Sequence, residues 1–421
     1  MAQKTTGWRS LRQRIPRLKL KLPNQDSEGQ SAVATYYLIL FPALLLGILG
    51  LMMGFSATAI TNISAGVNPY VPFLKTVAIS FAALVLAIVA AHMHPRFWDR
   101  TAFALFAFAL ILQLLVIPFG IGVGGNVNWL PIPGTGQVFQ PSELLKLATA
   151  LFLARALSGP QVDLKNWKQV LMVVGVPSGL AMGAVMLGHD MGTMLIFLGL
   201  TLGAIWVAGV PARWFASLFA FGGAGLILLI ASSPSRTRRV IEFLPGFGTE
   251  PSTSAPTQTD HGLWALGSGG LTGLGPGASR EKWNYLQEAH TDFIIAIIGE
   301  EFGLLGTLTL LLLFGLMIYG ILRLAANSGD SFERVASGAI GSWFIIQGMI
   351  NVGTVIGLAP VIGVPFPLVS YGGSSLLITA VAIGVLLSFA RSEANLGKKG
   401  RFDPDTAGLD PRKARTRRRV K

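Results

Sequence analysis

Ten apolar runs, each close to the length that a bilayer's hydrocarbon core demands of a helix, constrain this chain more than any other feature. They fall at 35–56, 73–91, 101–119, 144–157, 169–188, 191–210, 214–232, 302–322, 335–358 and 374–390. A helix rises about 1.5 Å per residue, so roughly 20 residues cross a core of ~30 Å. Backbone groups at that depth find no water, so such runs fold as helices. The chain is therefore expected to be an all-α polytopic membrane protein with about ten transmembrane helices. Its 421 residues are 52% hydrophobic and only 13% charged, which separates it from soluble domains.

The chain has no cysteine, which excludes disulfides, thiolate metal sites and cysteine nucleophiles. A net charge of +13 would suggest nucleic acid in a soluble protein. Here the basic residues gather in the two tails and in short connections, among them Arg9, Arg12, Arg96, Arg100, Lys165, Lys168, Arg213, Arg334 and the run 415–421. The positive-inside bias accounts for them, so both tails are expected in the cytoplasm and no nucleic-acid partner is expected. The chain divides into a basic tail at 1–34, a membrane domain at 35–390 and a second basic tail at 391–421. The tails have few core formers and read as disordered segments that meet at most membrane lipid. The N-terminal arm has no small-residue cleavage site of a secretory signal.

The connections on the outer side, at 120–140, 189–190, 233–291 and 359–373, hold most of the unusual residues. One as long as 233–291 is uncommon without a function of its own. It runs into 288–303, EAHTDFIIAIIGEEFG, which carries a histidine, an aspartate and three glutamates. Ionisable groups at membrane depth are costly, and are generally functional or paired. Asp292 stands where the polar connection becomes apolar, either as the cap of a helix beginning at Phe293 or as a functional carboxylate. Glu143 and Lys146, spaced i,i+3 behind the helix-start signal Pro141-Ser142, share one face. They form either a self-neutralising pair or a positioned cation for an anionic head group. Asp190 is expected to cap the helix that begins at Met191.

Arg236, Arg238 and Arg239 lie outside against the positive-inside trend, and the guanidinium fork suits phosphate. The glycines between 267 and 277 imply backbone that closely approaches a ligand or another helix. Three prolines and Gly372-Gly373 bar a continuous helix over 360–375. Irregular backbone near membrane depth needs protein or a water-filled cavity around it. Gln347 and Asn351, spaced i,i+4, are placed to support it.

Several of these stretches, taken together, resemble the SEDS family (shape, elongation, division and sporulation). They are FQPSELLKLA at 139–148, HDMGT at 189–193, RTRRVIEFLP at 236–245, LGSGGLTGLG at 266–275, KWNYLQEAHTDFIIAIIGEEFG at 282–303 and INVGTVIGLAPVIGVPFPLVSYGGSS at 350–375. EAHTDF, with Ala289, is closer to the division branch (FtsW) than to the elongation branch (RodA). The KWNYL wording and long basic tails are similar to those of actinobacterial members. Departures are Gln287 where the family has proline, and Gly188-His189-Asp190 where it has Gln-Pro-Asp. The family's Y-Q-x-x-Q pattern is reduced to Gln258 and His261.

The resemblance implies a GT-C-like membrane fold and a peptidoglycan glycosyltransferase that polymerises lipid II outside the membrane during septal synthesis. It also implies a class B penicillin-binding protein and other divisome proteins as partners. The family's essential carboxylate falls on Asp292, its Glu and Lys pair on Glu143 and Lys146, and its two arginines on Arg236 and Arg239. Lys282, His290, Ser370, Tyr371, Gly372 and Gly373 lie in the matching motifs and are expected to contact substrate. Asp292 would act as general base, or as a ligand of a divalent cation such as Mg²⁺ or Mn²⁺. A lipid II flippase and a non-catalytic divisome scaffold are the other readings. The flippase predicts charges along a path through the membrane, whereas these gather on one face, Glu300 and Glu301 excepted.

Overall fold

The computed structural model describes residues 28–64, 66, 68–123, 126–134, 137–159, 162–231, 237, 256–283, 285–286, 289–370 and 372–399. Arg236, Arg239 and Tyr371 lie outside the described residues, as does most of both basic tails. The helices are α1 (Glu28–Ser64), α2 (Tyr70–His92), α3 (Pro95–Phe119), α4 (Pro141–Leu157), α5 (Trp167–Leu187) and α6 (Met191–Ala208). They continue with α7 (Ala212–Ala231), α8 (Gln258–Gly269), α9 (Ile294–Asn327), α10 (Ser331–Val355) and α11 (Gly373–Lys399). All but α8 correspond to the ten apolar runs.

Among the described residues, eight helices are long and apolar enough to cross a membrane, namely α1, α2, α3, α5, α6, α9, α10 and α11. The protein is a multi-pass membrane protein. At 17 residues, α4 is shorter, and it is enclosed rather than lipid-facing: Leu145, Ala148, Ala150 and Leu151 are fully buried. It packs against α3, α6 and α10, so its charges meet protein. Elsewhere α11 runs along α2 and α1, α9 along α1, and α10 against α6. Local sequence sets many of the ends. Asp330 caps α10 by accepting from the N–H groups of Phe332 and Glu333, and Gly209 ends α6 in the left-handed region at φ 83°. In α5 the stretch Leu171–Gly175 is π-helical, next to Pro177, whose missing N–H interrupts the usual ladder.

Three features depart from the sequence reading. The 120–140 connection is a three-stranded antiparallel sheet, β1 (Ile121–Val123), β2 (Asn126–Ile132) and β3 (Gln137–Phe139), in the order β1-β2-β3. Strands of three to seven residues broken by glycine and proline are too short to show alternation. The long connection contains α8, whose N-terminus carries a capping box: Thr257 accepts from the N–H of Asp260, and the Asp260 carboxylate accepts from the N–H of Thr257.

The third departure is a break in α9 at Gly303 (φ 68°, ψ −164°); the helix begins at Ile294, one residue after the Phe293 start weighed in the sequence and ahead of the apolar run from 302. The break frees backbone groups inside an apolar segment, and the glycine-rich strap after α8 satisfies them. Leu274 and Gly275 donate to the carbonyls of Glu300 and Glu301, while Leu304 and Leu305 donate to those of Gly270 and Leu271. A Cβ on Gly303 would stand 2.4 Å from the backbone nitrogen of Gly273. The glycine run thus serves close approach to another helix.

Candidate functional site

The connections α3–α4, α5–α6, α7–α9 and α10–α11 meet at one end of the bundle around a cavity of about 1100 Å³. Asp292, Glu143, Lys146, Gly372 and Gly373 line it, joined by Asp190. Asp292 does not occupy the capping position of α9, which falls on Phe293. Its main-chain carbonyl instead accepts from Nδ2 of Asn351 at 2.8 Å, and the same amide nitrogen donates to the carbonyl of Val364 at 2.7 Å. Segment 356–370 is non-helical throughout. Gly363, at φ 73°, lies so near the carboxylate that a Cβ there would sit 3.6 Å from Oδ2 of Asp292.

Glu143 and Lys146 form a buried ion pair at 3.0 Å. The ammonium also donates to Oε1 of Gln347 at 3.0 Å and lies 4.8 Å from the centre of the Trp343 ring. Gln347 in turn accepts from Nε1 of Trp343 at 2.6 Å and donates through Nε2 to the carbonyl of Pro365 at 2.8 Å. One face of α10 therefore holds both the lysine and the irregular segment, through the two amides expected to do so. Oε2 of Glu143 is buried and has no partner among the described residues. Asp190 caps α6, accepting from N and Oγ1 of Thr193 at 2.9 and 2.7 Å and from Nδ2 of Asn128 at 2.9 Å. Burial raises its pKa above the ordinary carboxylate value, against the lowering effect of Thr193.

Other expected contacts lie elsewhere. Lys282 is not on the cavity: its ammonium is buried in an ion pair with Glu301 at 2.6 Å and donates to Oγ of Ser56 at 3.0 Å. Glu300 accepts from Oγ of Ser279 and from the N–H of Arg280. The two intramembrane glutamates thus tie the strap between α8 and α9 to α1, and Lys282 is a structural partner rather than a substrate contact. The hydroxyl oxygen of Ser370 accepts from the N–H of Phe366 at 2.7 Å and is likewise structural. His290 is half-buried and does not line the cavity.

Lys75 was not singled out in the sequence. It is exposed, lines the cavity from α2, and makes no ion pair among the described residues. The signal for it was available, because it is the only Lys, Arg, Asp or Glu within α2. Polar residues of α8, including Gln258 and Thr259, close another side.

A family model described as "cell cycle protein", covering FtsW, RodA and SpoVE, matches residues 36–395. The chain belongs to the FtsW/RodA/SpoVE family. One relative is the "Probable peptidoglycan glycosyltransferase FtsW" of Mycobacterium tuberculosis, 36% identical over 363 residues, 86% of this chain and 68% of the relative. Another is the "Stage V sporulation protein E" of Bacillus subtilis, 34% identical over 363 residues, 84% of this chain and 96% of that one. Among solved structures, a chain of a peptidoglycan synthase complex described as coordinating polymerization and crosslinking superposes with a TM-score of 0.67. It is 25% identical, with 83% of this chain and 97% of that chain covered. The rod shape determining protein RodA of Thermus thermophilus gives 0.62 at 25% identity, with 85% and 97% covered. These neighbours share the membrane fold of the FtsW/RodA/SpoVE family over nearly the whole described bundle.

Proposed function

We propose that this protein is a peptidoglycan glycosyltransferase that joins lipid II units on the outer face of the cytoplasmic membrane, with Asp292 as its general base. One observation carries the reading: a half-buried carboxylate, held through its own backbone by Asn351, shares a large cavity with cationic side chains. A hydroxyl of one substrate attacks the anomeric carbon of another, forming the glycosidic bond. The bond from that carbon to pyrophosphate breaks, the electron pair leaves with pyrophosphate, and the hydroxyl proton passes to Asp292. Lys75 and Lys146 supply positive charge where the leaving group gathers negative charge. Arg236 and Arg239 are expected to add to it.

Among the described residues no group of three or more His, Asp or Glu could cage a metal ion. In the alternative to the base role, Asp292 would help hold a Mg²⁺ or Mn²⁺ ion, since Mg²⁺ is commonly bound by one or two carboxylates plus substrate phosphates. It would neutralise the leaving group. The basic residues favour cytoplasmic tails. The names of the relatives, and the polymerization and crosslinking of the structural neighbour, support septal work beside a class B penicillin-binding protein and other divisome proteins.

The test is glycan polymerisation by the purified full chain with that transpeptidase, on lipid II, with and without Mg²⁺. Asp292→Asn and Asp292→Ala are expected to lose at least about 100-fold in rate, the scale of a general base, while still binding lipid II. Full polymerisation by Asp292→Asn would remove Asp292 from the chemistry. Transfer of labelled lipid II across liposomes without polymer would favour a flippase.

A further inference from the structure

One wall of the cavity has no part in the proton or charge chemistry. The β2–β3 hairpin contributes Asn126, Asn128, Trp129 and Gln137 to the lining, three amides and an indole without a charge among them. The strand geometry that presents them is irregular. Ile121 pairs with Trp129, yet the next residue, Gly122, pairs with Val127, so Asn128 is an extra residue on β2. Neighbours on a regular strand point to opposite faces. The extra residue Asn128 and its neighbour Trp129 both line the cavity, in keeping with the use of bulges to re-aim side chains beside active sites.

The bulge is anchored on both sides. Val127 donates its N–H to the carbonyl of Gly188 at 3.0 Å, and Nδ2 of Asn128 donates to Asp190 at 2.9 Å. Oδ1 of Asn128 is buried and has no partner among the described residues. A built, uncharged wall with an aromatic plate and a rim of amides matches the surface of a sugar ring, which has an apolar C–H face and a rim of hydroxyl and acetamide groups. The cations, by contrast, come from α2 and α4, where Lys75 and Lys146 sit.

We propose that β2, bulged against β1, forms with β3 a saccharide-binding wall that takes an acetamido sugar against Trp129, turning the lipid-linked substrate so that its pyrophosphate faces Lys75 and Lys146. This rests on the glycosyltransferase reading of the cavity and assigns the part that reads the sugar.

The probe is N,N′-diacetylchitobiose, which has neither lipid nor phosphate, with binding to the detergent-solubilised full chain followed by saturation-transfer NMR. Undecaprenyl pyrophosphate binding and lipid II polymerisation are measured on the same samples. Wild type is expected to bind the disaccharide, and Trp129→Ala to weaken it about tenfold, the scale of losing one aromatic contact. Gln137→Ala is expected to weaken it less, and Trp129→Phe to keep most of the affinity. Undecaprenyl pyrophosphate binding should stay within about twofold of wild type, since the lipid pyrophosphate does not use this wall. Equal disaccharide binding by Trp129→Ala, or none by wild type, overturns the proposal. So does parallel loss of undecaprenyl pyrophosphate in Trp129→Phe and Gln137→Ala. If wild type binds the disaccharide through Trp129 but forms no polymer, the wall stands and the enzymatic reading falls. If polymer forms while sugar binding is independent of Trp129, the enzymatic reading stands and the wall falls.

Discussion

The backbone carbonyl of Asp292 accepts a hydrogen bond from Asn351, 59 residues further along the chain, and the second hydrogen on that amide nitrogen goes to Val364. One side chain on α10 thereby sets the distance between the start of α9 and the irregular segment facing it. Asn351→Ala removes both donors at once and leaves two carbonyls to find other partners. Each loss costs roughly 1–3 kcal/mol when the group stays dry. The expected outcome is a fall in kcat of about tenfold or more, with KM changed much less, because the carboxylate is displaced rather than removed. Steady-state polymerisation kinetics would show it, and an unchanged kcat would deny Asn351 this positioning role.

Glu143 and Lys146 are buried together, and removing one partner strands the other charge at a cost of roughly 3–5 kcal/mol. Lys146→Met and Glu143→Gln should each lower the unfolding temperature in detergent. The double variant should recover much of that loss, since a neutral pair strands no charge. Polymerisation should not recover with it. Recovery of both would mean that the pair is structural only.

Gly303 is expected to tolerate no side chain. At φ 68° an alanine is strained, and its Cβ would collide with the backbone of Gly273 and Leu271, which cannot move aside. Gly303→Ala should reduce the folded protein recovered from membranes severely, more than Gly315→Ala on the same helix, where nothing lies within 4 Å of the added carbon. Equal recovery of the two, by fluorescence size-exclusion, would contradict the close packing of the strap.

Asp190 gives a pH signature with a definite sign. Burial raises its folded pKa above 3.8, so the folded state holds this proton more tightly than the unfolded state. The resulting stabilisation is complete below 3.8 and is lost as pH rises through the folded pKa. Asp190→Asn carries no such charge. Its stability relative to wild type should therefore increase from about pH 4 to pH 7, read as the difference between their unfolding temperatures. A difference that stays flat would mean that the carboxylate is solvated.

The apolar runs were legible because membrane helices announce themselves by length and composition, which need no partner. The cap at Asp190 follows the same local logic. The three-stranded sheet was not legible, because its strands are too short for a period and depend on docking to Gly188. The places of Glu300 and Glu301 were not legible, because their burial makes sense only beside Lys282, Ser279 and Ser56. Lys282 itself resembled a substrate contact until its partner was visible.

Residue order alone dictates that this protein is a bundle of membrane helices, that its polar connections cluster between them, and that Asp292 is a carboxylate out of place. These follow from the solvation cost of each segment, which is a local property. Which charges cancel one another, and which face a shared cavity, emerges only when the helices pack. Lys282 is neutralised by Glu301, Lys146 is held by Glu143 and Gln347, and Lys75 faces the cavity without an ion pair among the described residues. That division depends on distances of a few ångströms between residues far apart in the chain, and Coulomb and hydrogen-bond energies change steeply over such distances.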